Sequence, residues 1–179
     1  MRNTFIKELM AQSRINKDIY LITSDLGFRS FEPFKKEFPD RFINVGVSEN
    51  NMIGISAGMA LKGKKIFVYS ILPFLIFRSL EQIRNNVCHN NLDVKLIGGG
   101  GGFSYSAQGI SHNTTEDLSI IRSLPNINVF NPGSNIEAEL ALSSTFNTKG
   151  PSFIRLGKAP SADYLSEKPD YNIGNGLLI

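Results

Sequence analysis

Glu49 is the acid in this sequence best placed for proton chemistry. It follows Ser48, a residue type that caps helices, and stands where an apolar run over residues 41–45 gives way to a helical pattern. A glutamate in a first helical turn ordinarily does no more than complement the helix dipole, worth a few tenths to about 1 kcal/mol. Here Val45 and Val47 precede it, and Met52, Ile53 and Ile55 follow. Such neighbours predict a carboxyl drawn out of water, with its pKa raised. Phe74 and Phe77 share a face at the start of another predicted helix. Core packing is the ordinary use of that spacing; a wall for a flat ring is the functional one. His112 lies with Tyr105 and Gln108 in a loop at the predicted ligand edge of the sheet. That position raises it above an ordinary surface histidine.

Two further features invite chemistry and lose it on inspection. The run Gly98 to Gly102 follows a predicted strand, as a phosphate loop does. No Gly-Lys-Ser/Thr follows it and no Gly-x-Gly-x-x-Gly opens a helix, so close approach of backbone is the better reading. Cys88 and His89 could form a nucleophile and base, but neighbours on a helix point in different directions.

The elements that must position these residues alternate. Helical spacing covers Thr4 to Ser13, with Phe5, Ile6, Leu9 and Met10 on one face. Strands are predicted at Ile19 to Ser24, Arg41 to Val45, Lys65 to Ile71, Val94 to Ile97, Ile127 to Phe130 and Ser152 to Leu156. Helices are predicted at Phe31 to Phe38 and from Glu49 to about Leu61, closed by Gly63. Others run from Pro73 to about Asn86, from Glu116 to Ser123 and from Asn135 to Phe146. This rhythm of apolar strands and helices implies a three-layer α/β/α domain with a mostly parallel sheet of about six strands. Ligands gather beyond the carboxyl ends of such strands.

The 179 residues suffice for one domain with a real core. A net charge of +3, with the basic residues scattered, argues against nucleic acid as a partner. No apolar run is long enough to span a membrane; Ile66 to Phe77 is interrupted by Pro73. The amino terminus lacks the apolar core of a signal peptide, and the single cysteine suits a reducing compartment, so the cytoplasm is expected. After Gly157 the chain turns polar and ends on an apolar Leu-Leu-Ile. A linker and the start of a missing C-terminal domain are therefore expected over 161–179.

Taken in order, several segments resemble the pyrimidine-binding domain of transketolases. Gly46-Val-Ser-Glu-Asn-Asn-Met-Ile-Gly-Ile-Ser-Ala-Gly-Met-Ala-Leu-Lys-Gly63 is similar to the stretch around the family's catalytic glutamate. Leu72-Pro-Phe-Leu-Ile-Phe77 resembles its aromatic motif, and Gly109-Ile-Ser-His112 its substrate-loop histidine. Ser123-Leu-Pro-Asn-Ile-Asn-Val-Phe-Asn-Pro132 and Pro151-Ser-Phe-Ile-Arg-Leu156 resemble its later strands. The resemblance covers residues 1–160 and implies the pyrimidine module of the thiamine-diphosphate-binding fold. It implies that Glu49 bonds N1′ of the aminopyrimidine of thiamine diphosphate, and so activates the cofactor for ketol transfer between sugar phosphates. By the same resemblance Phe77 stacks on the pyrimidine, Phe74 lines the pocket, and Asp25 lies near the site. His112 and Gln108 face the sugar, and Arg155 binds its phosphate.

Some positions depart from the family. Gln108 stands where an aspartate is usual, a glycine near Gly100 replaces a histidine, Arg29 or Ser30 stands near an expected serine, and Leu80 replaces a tyrosine. These departures fall on sugar contacts and point to substrates other than the usual pentose phosphates. Family members bind the diphosphate and Mg²⁺ through a separate domain carrying Gly-Asp-Gly, which is absent here. The chain is therefore expected to hold no metal itself and to be inactive alone. It is expected to act as the C-terminal subunit of a split transketolase, or as a truncated piece of a longer one. Its partners would be a second copy, a separate diphosphate-binding subunit, or both. Competing readings are the β-subunit of a 2-oxo acid dehydrogenase, a non-catalytic scaffold subunit of the same fold, and a nucleotide binder using the glycine run.

Overall fold

The computed structural model describes residues 1–158 together with Pro169, Ile173 and Gly174. The boundary expected at residue 160, and the linker expected after it, lie outside the described residues apart from those three.

Six strands form one parallel sheet in the order β2-β1-β3-β4-β6-β5. They are β1 (Ile19–Thr23), β2 (Phe42–Asn44), β3 (Lys65–Ile71), β4 (Val94–Gly99), β5 (Asn128–Phe130) and β6 (Ser152–Leu156). Their side chains alternate between two faces, as the pleat requires. Leu21, Phe67, Tyr69 and Ile97 meet Phe5, Leu9, Phe34 and Leu142, which come from α1 (Arg2–Ile15), α2 (Glu32–Glu37) and α7 (Asn135–Asn147). Ile22, Ile66, Val68 and Leu96 meet Met52, Ile53, Leu75, Ile83 and Ile121 on the opposite face. Those come from α3 (Glu49–Leu61), α4 (Leu72–Phe77), a π-helical stretch over Ile83–Cys88, and α6 (Asp117–Arg122). Both faces are covered, so the three-layer expectation holds.

Local differences have local causes. Ser48 occupies the cap position of α3, yet its hydroxyl makes no cap bond. The single helix expected from Pro73 to Asn86 is broken into α4, the short α5 (Leu80–Gln82) and the π-helical stretch. At the break the Ser79 hydroxyl bonds the Leu75 carbonyl at 2.9 Å, satisfying an acceptor that a continuous helix would use. β4 runs two residues further than the apolar pattern, through Gly98 and Gly99. A Cβ on Gly98 would collide with the Leu72 side chain, so glycine lets α4 lie directly on the strand.

At the amino edge of the sheet Lys95 is fully buried. Its Nζ donates to the carbonyls of Thr148 and Gly150 and pairs with Asp93 at 2.7 Å. Burial holds this ammonium below the usual lysine pKa, against the pull of Asp93. This clamp belongs to the fold and lies at the edge opposite the site.

Candidate active site

Glu49 begins α3 directly after the loop that leaves β2, which sets it at the carboxyl edge of the sheet. Its residue exposure is 2%, so the expected burial is found. The expected apolar wall is not. Val47 is exposed, and Met52 and Ile53 turn into the core. The carboxyl meets hydroxyls and a cation instead. Ser24 Oγ donates to Oε1 at 3.0 Å and Ser70 Oγ lies 3.3 Å from the same oxygen. Arg78 Nη1 donates to Oε2 at 3.1 Å. The register of β1 on β3, which pairs Thr23 with Tyr69, carries Ser24 and Ser70 side by side.

Arg78 stands in the break after α4, with its side chain 47% exposed. Its guanidinium lies over the Phe74 ring, 4.2 Å from the centroid. Phe74 in turn meets His112 edge to face at 5.0 Å. His112 Nδ1 lies 3.0 Å from Ser111 Oγ, and Tyr105 approaches the imidazole at 6.5 Å. A short bridge between Gly102 and Thr114 ties the base of this loop. Glu49, Phe74 and His112, far apart in sequence, therefore form one contiguous group through Arg78. Phe77 stands outside it, 42% exposed, in a cleft with Asn50, Arg78, Leu80 and Glu81.

The remaining predicted residues surround this group at different distances. Asp25 directly follows Ser24 and is exposed, with a left-handed φ of 58° that aspartate tolerates. Its amide donates to Asn44 Oδ1 at 2.9 Å, and Asn44 Nδ2 returns a bond at 3.2 Å. Gln108 is exposed on a 3₁₀ turn. Arg155 is committed elsewhere: Nε bonds buried Asp117 at 2.6 Å and Nη2 reaches it at 3.5 Å. A Cβ on Gly101 would collide with that guanidinium. The glycine run is thus a close-approach segment over strand and arginine, and no helix opens at its end. A hollow of about 590 Å³ opens beyond Gly99 and Gly100, walled by Arg2, Tyr69, Tyr105 and Lys158. Neither Glu49 nor Phe74 lines it.

Cys88 is buried and its thiol is pushed up to about 11 by that burial, while neighbouring His89 is exposed. The two do not form a nucleophile pair. Among the described residues no cluster of three metal-ligating side chains forms.

Ser24, Ser70, Arg78 and Asp117 do not stand out in the sequence. Three of them carry a signal there: a serine at the end of an apolar strand, on the ligand edge of the sheet, is a polar group placed where the core ends. Arg78 follows Phe74 by four positions, the spacing at which a cation reaches an aromatic ring on a helix. Asp117 carries none, because its partner Arg155 is 38 residues away.

Residues 1–161 match the family described as transketolase, pyrimidine binding domain. A subunit of an apulose-4-phosphate transketolase from Actinobacillus succinogenes is 35% identical over 87% of this chain and 50% of its own length. A 6-deoxy-6-sulfo-D-fructose transketolase subunit from a Clostridium species is 31% identical over 100% of this chain and 56% of its own. A solved structure described as a split gene transketolase, inactive beta4 tetramer, superposes with a TM-score of 0.86 at 31% identity, over 97% of this chain and 56% of that one. The chain therefore spans between 50% and 56% of the length of these relatives. With the parallel order of six strands and the buried glutamate at its carboxyl edge, the match places this chain in the transketolase pyrimidine-binding domain family.

Proposed function

We propose that this chain supplies the pyrimidine side of a thiamine diphosphate site in a two-part transketolase that transfers ketol groups between sugar phosphates. The observation that carries the reading is the carboxyl of Glu49. It is buried and held at Oε1 by two serines, while Oε2 accepts from Arg78, whose guanidinium covers the Phe74 ring that meets His112. Such a carboxyl fits the ring nitrogen of an aminopyrimidine, and the Phe74 ring, joined to it through Arg78, fits a flat heterocycle. The bound cofactor would supply the electron sink for carbon–carbon bond cleavage. Glu49 would hold a proton at Oε2 and give a hydrogen bond to the ring. Ser24 and Ser70 would keep that carboxyl from rotating. Phe74 and Phe77 would exclude water from the ring. Asp25 would brace the loop that carries Ser24.

On the substrate side, His112 and Gln108 would bond sugar hydroxyls from the loop that folds over α4. Arg155 would meet the phosphate through the nitrogen not committed to Asp117. The relatives' names, apulose 4-phosphate and a sulfo-sugar, support substrates beyond the common pentose phosphates.

The diphosphate and its Mg²⁺ would be held by a second subunit or a second copy. The apolar rim supports this: Phe28, Val47, Phe77, Phe103 and Ile110 are all exposed on segments that follow the carboxyl ends of strands. The outer face of α3 supports it too. Gly54 and Gly58 have nothing within 4 Å of a built Cβ, which leaves that smooth face open to a partner. Among the described residues no helix is long and apolar enough to cross a membrane, and the cytoplasm is the compartment we propose. The 2-oxo acid dehydrogenase reading has no comparable support.

The test is calorimetric titration of thiamine diphosphate with Mg²⁺ into the chain alone and into the chain mixed with a diphosphate-binding subunit. Binding confined to the mixture is expected. Absence of binding in both would overturn the reading and favour the scaffold alternative.

A further inference from the structure

We propose that Arg78 is a latch over Glu49, which the cofactor ring must displace in order to bind. This rests on the function proposed above. Oε1 of Glu49 is held by two serines that project from the sheet, so a ligand cannot reach it from that side. Oε2 is the oxygen left, and Arg78 donates to it at 3.1 Å. The same guanidinium covers the Phe74 ring at 4.2 Å. A guanidinium is flat, gives hydrogen bonds in its plane and stacks through its face. A flat heterocycle that bonds Glu49 and packs on Phe74 makes the same two contacts. Ring and guanidinium therefore exclude one another.

The protonation requirement agrees. An arginine donor holds Oε2 as an acceptor, whereas the proposed role needs Glu49 to give a hydrogen bond. Arg78 also has somewhere to go. It lies past the end of α4, with nearly half its side chain in water. The adjoining cleft, about 490 Å³, is lined by Arg78 together with Glu81. Glu81 offers the released guanidinium a second carboxylate. The latch would keep a buried carboxylate paired until cofactor arrives, since an unpaired buried charge is costly.

The experiment uses the chain reconstituted with a diphosphate-binding subunit. Thiamine diphosphate with Mg²⁺ is titrated calorimetrically, and its association rate is followed by stopped flow, for wild type, Arg78→Met and Arg78→Lys. Circular dichroism and thermal unfolding check that each variant is folded. Arg78→Met is expected to bind roughly threefold to tenfold more tightly and to associate faster, the effect of removing one half-exposed ion pair. Arg78→Lys is expected to fall between, since an ammonium keeps the charge and loses the flat stack on Phe74. If Arg78 merely supported the site, Arg78→Met would bind more weakly. Equal or weaker binding by Arg78→Met, with wild type binding normally, overturns the latch and leaves the cofactor reading standing. No binding by wild type overturns the cofactor reading and the latch with it.

Discussion

Ser24, just past the end of β1, and Ser70, on the adjacent β3, lie 3.2 Å apart and converge on a single oxygen of Glu49. Neither serine is exposed, and neither has a role in the hydrophobic layers. Their arrangement fixes one oxygen of the carboxyl and leaves the other to Arg78.

Loss of one serine should be mild, because the other still reaches Oε1. Ser24→Ala or Ser70→Ala is expected to cost about 0.5–1.5 kcal/mol, and the double variant more than the sum. Urea denaturation of the four forms gives the coupling directly. Strict additivity would show that the two hydroxyls do not share the carboxyl.

Glu49→Gln should leave the fold intact and abolish turnover by the reconstituted enzyme, because an amide cannot exchange the required proton. His112→Ala should instead shift the sugar profile while leaving cofactor affinity nearly unchanged. Steady-state kinetics on a panel of phosphosugars, beside cofactor titration, separates the two. Normal turnover by Glu49→Gln would refute the assignment.

Gly101→Ala tests the arginine beneath the glycine run. The added methyl meets the guanidinium of Arg155, so the pair with Asp117 must shift. A loss of about 1–3 kcal/mol is expected. Thermal unfolding measures it. No change would mean that Arg155 has room to move and is not pinned.

The outer face of α3 gives a substitution with opposite effects. Nothing lies near a Cβ built on Gly58. Gly58→Leu should stabilise the isolated chain by up to about 1 kcal/mol through helix propensity. It should impair association with the second subunit, read by analytical ultracentrifugation. Association at wild-type strength would exclude this face from the interface.

Cys88 makes stability pH-dependent at alkaline pH. Its thiol titrates at an ordinary 9.0 when unfolded and at about 11 when buried. Between those values the unfolded chain releases the proton first, so stability falls as pH rises, by on the order of 2 kcal/mol in all. Below pH 9 this contribution is fully present. Urea midpoints from about pH 8 to about pH 10.5 should show a shallower decline in Cys88→Ala, and equal slopes would rule out this source.

What the sequence by itself determined is the architecture and the placing of a buried Glu49 at the carboxyl edge of the sheet. Apolar runs such as Lys65–Ile71 and Ser152–Leu156 match their strands to the residue. Short connections with helical spacing between them admit only parallel crossovers, and β2 to α3 delivers Glu49 to the carboxyl edge. These are local signals, set by side-chain period and by which residues start and stop an element. What surrounds Glu49 was decided only by tertiary structure. Ser24, Ser70 and Arg78 lie 25, 21 and 29 residues from it, outside its own helix. They meet because strand register sets Ser24 beside Ser70 and because α4 breaks one residue before Ser79. Neither event leaves a trace in local periodicity. The expected apolar wall around Glu49 failed for that reason: flanking valines and isoleucines tell which way a helix faces, while the side chain's neighbours come from other strands.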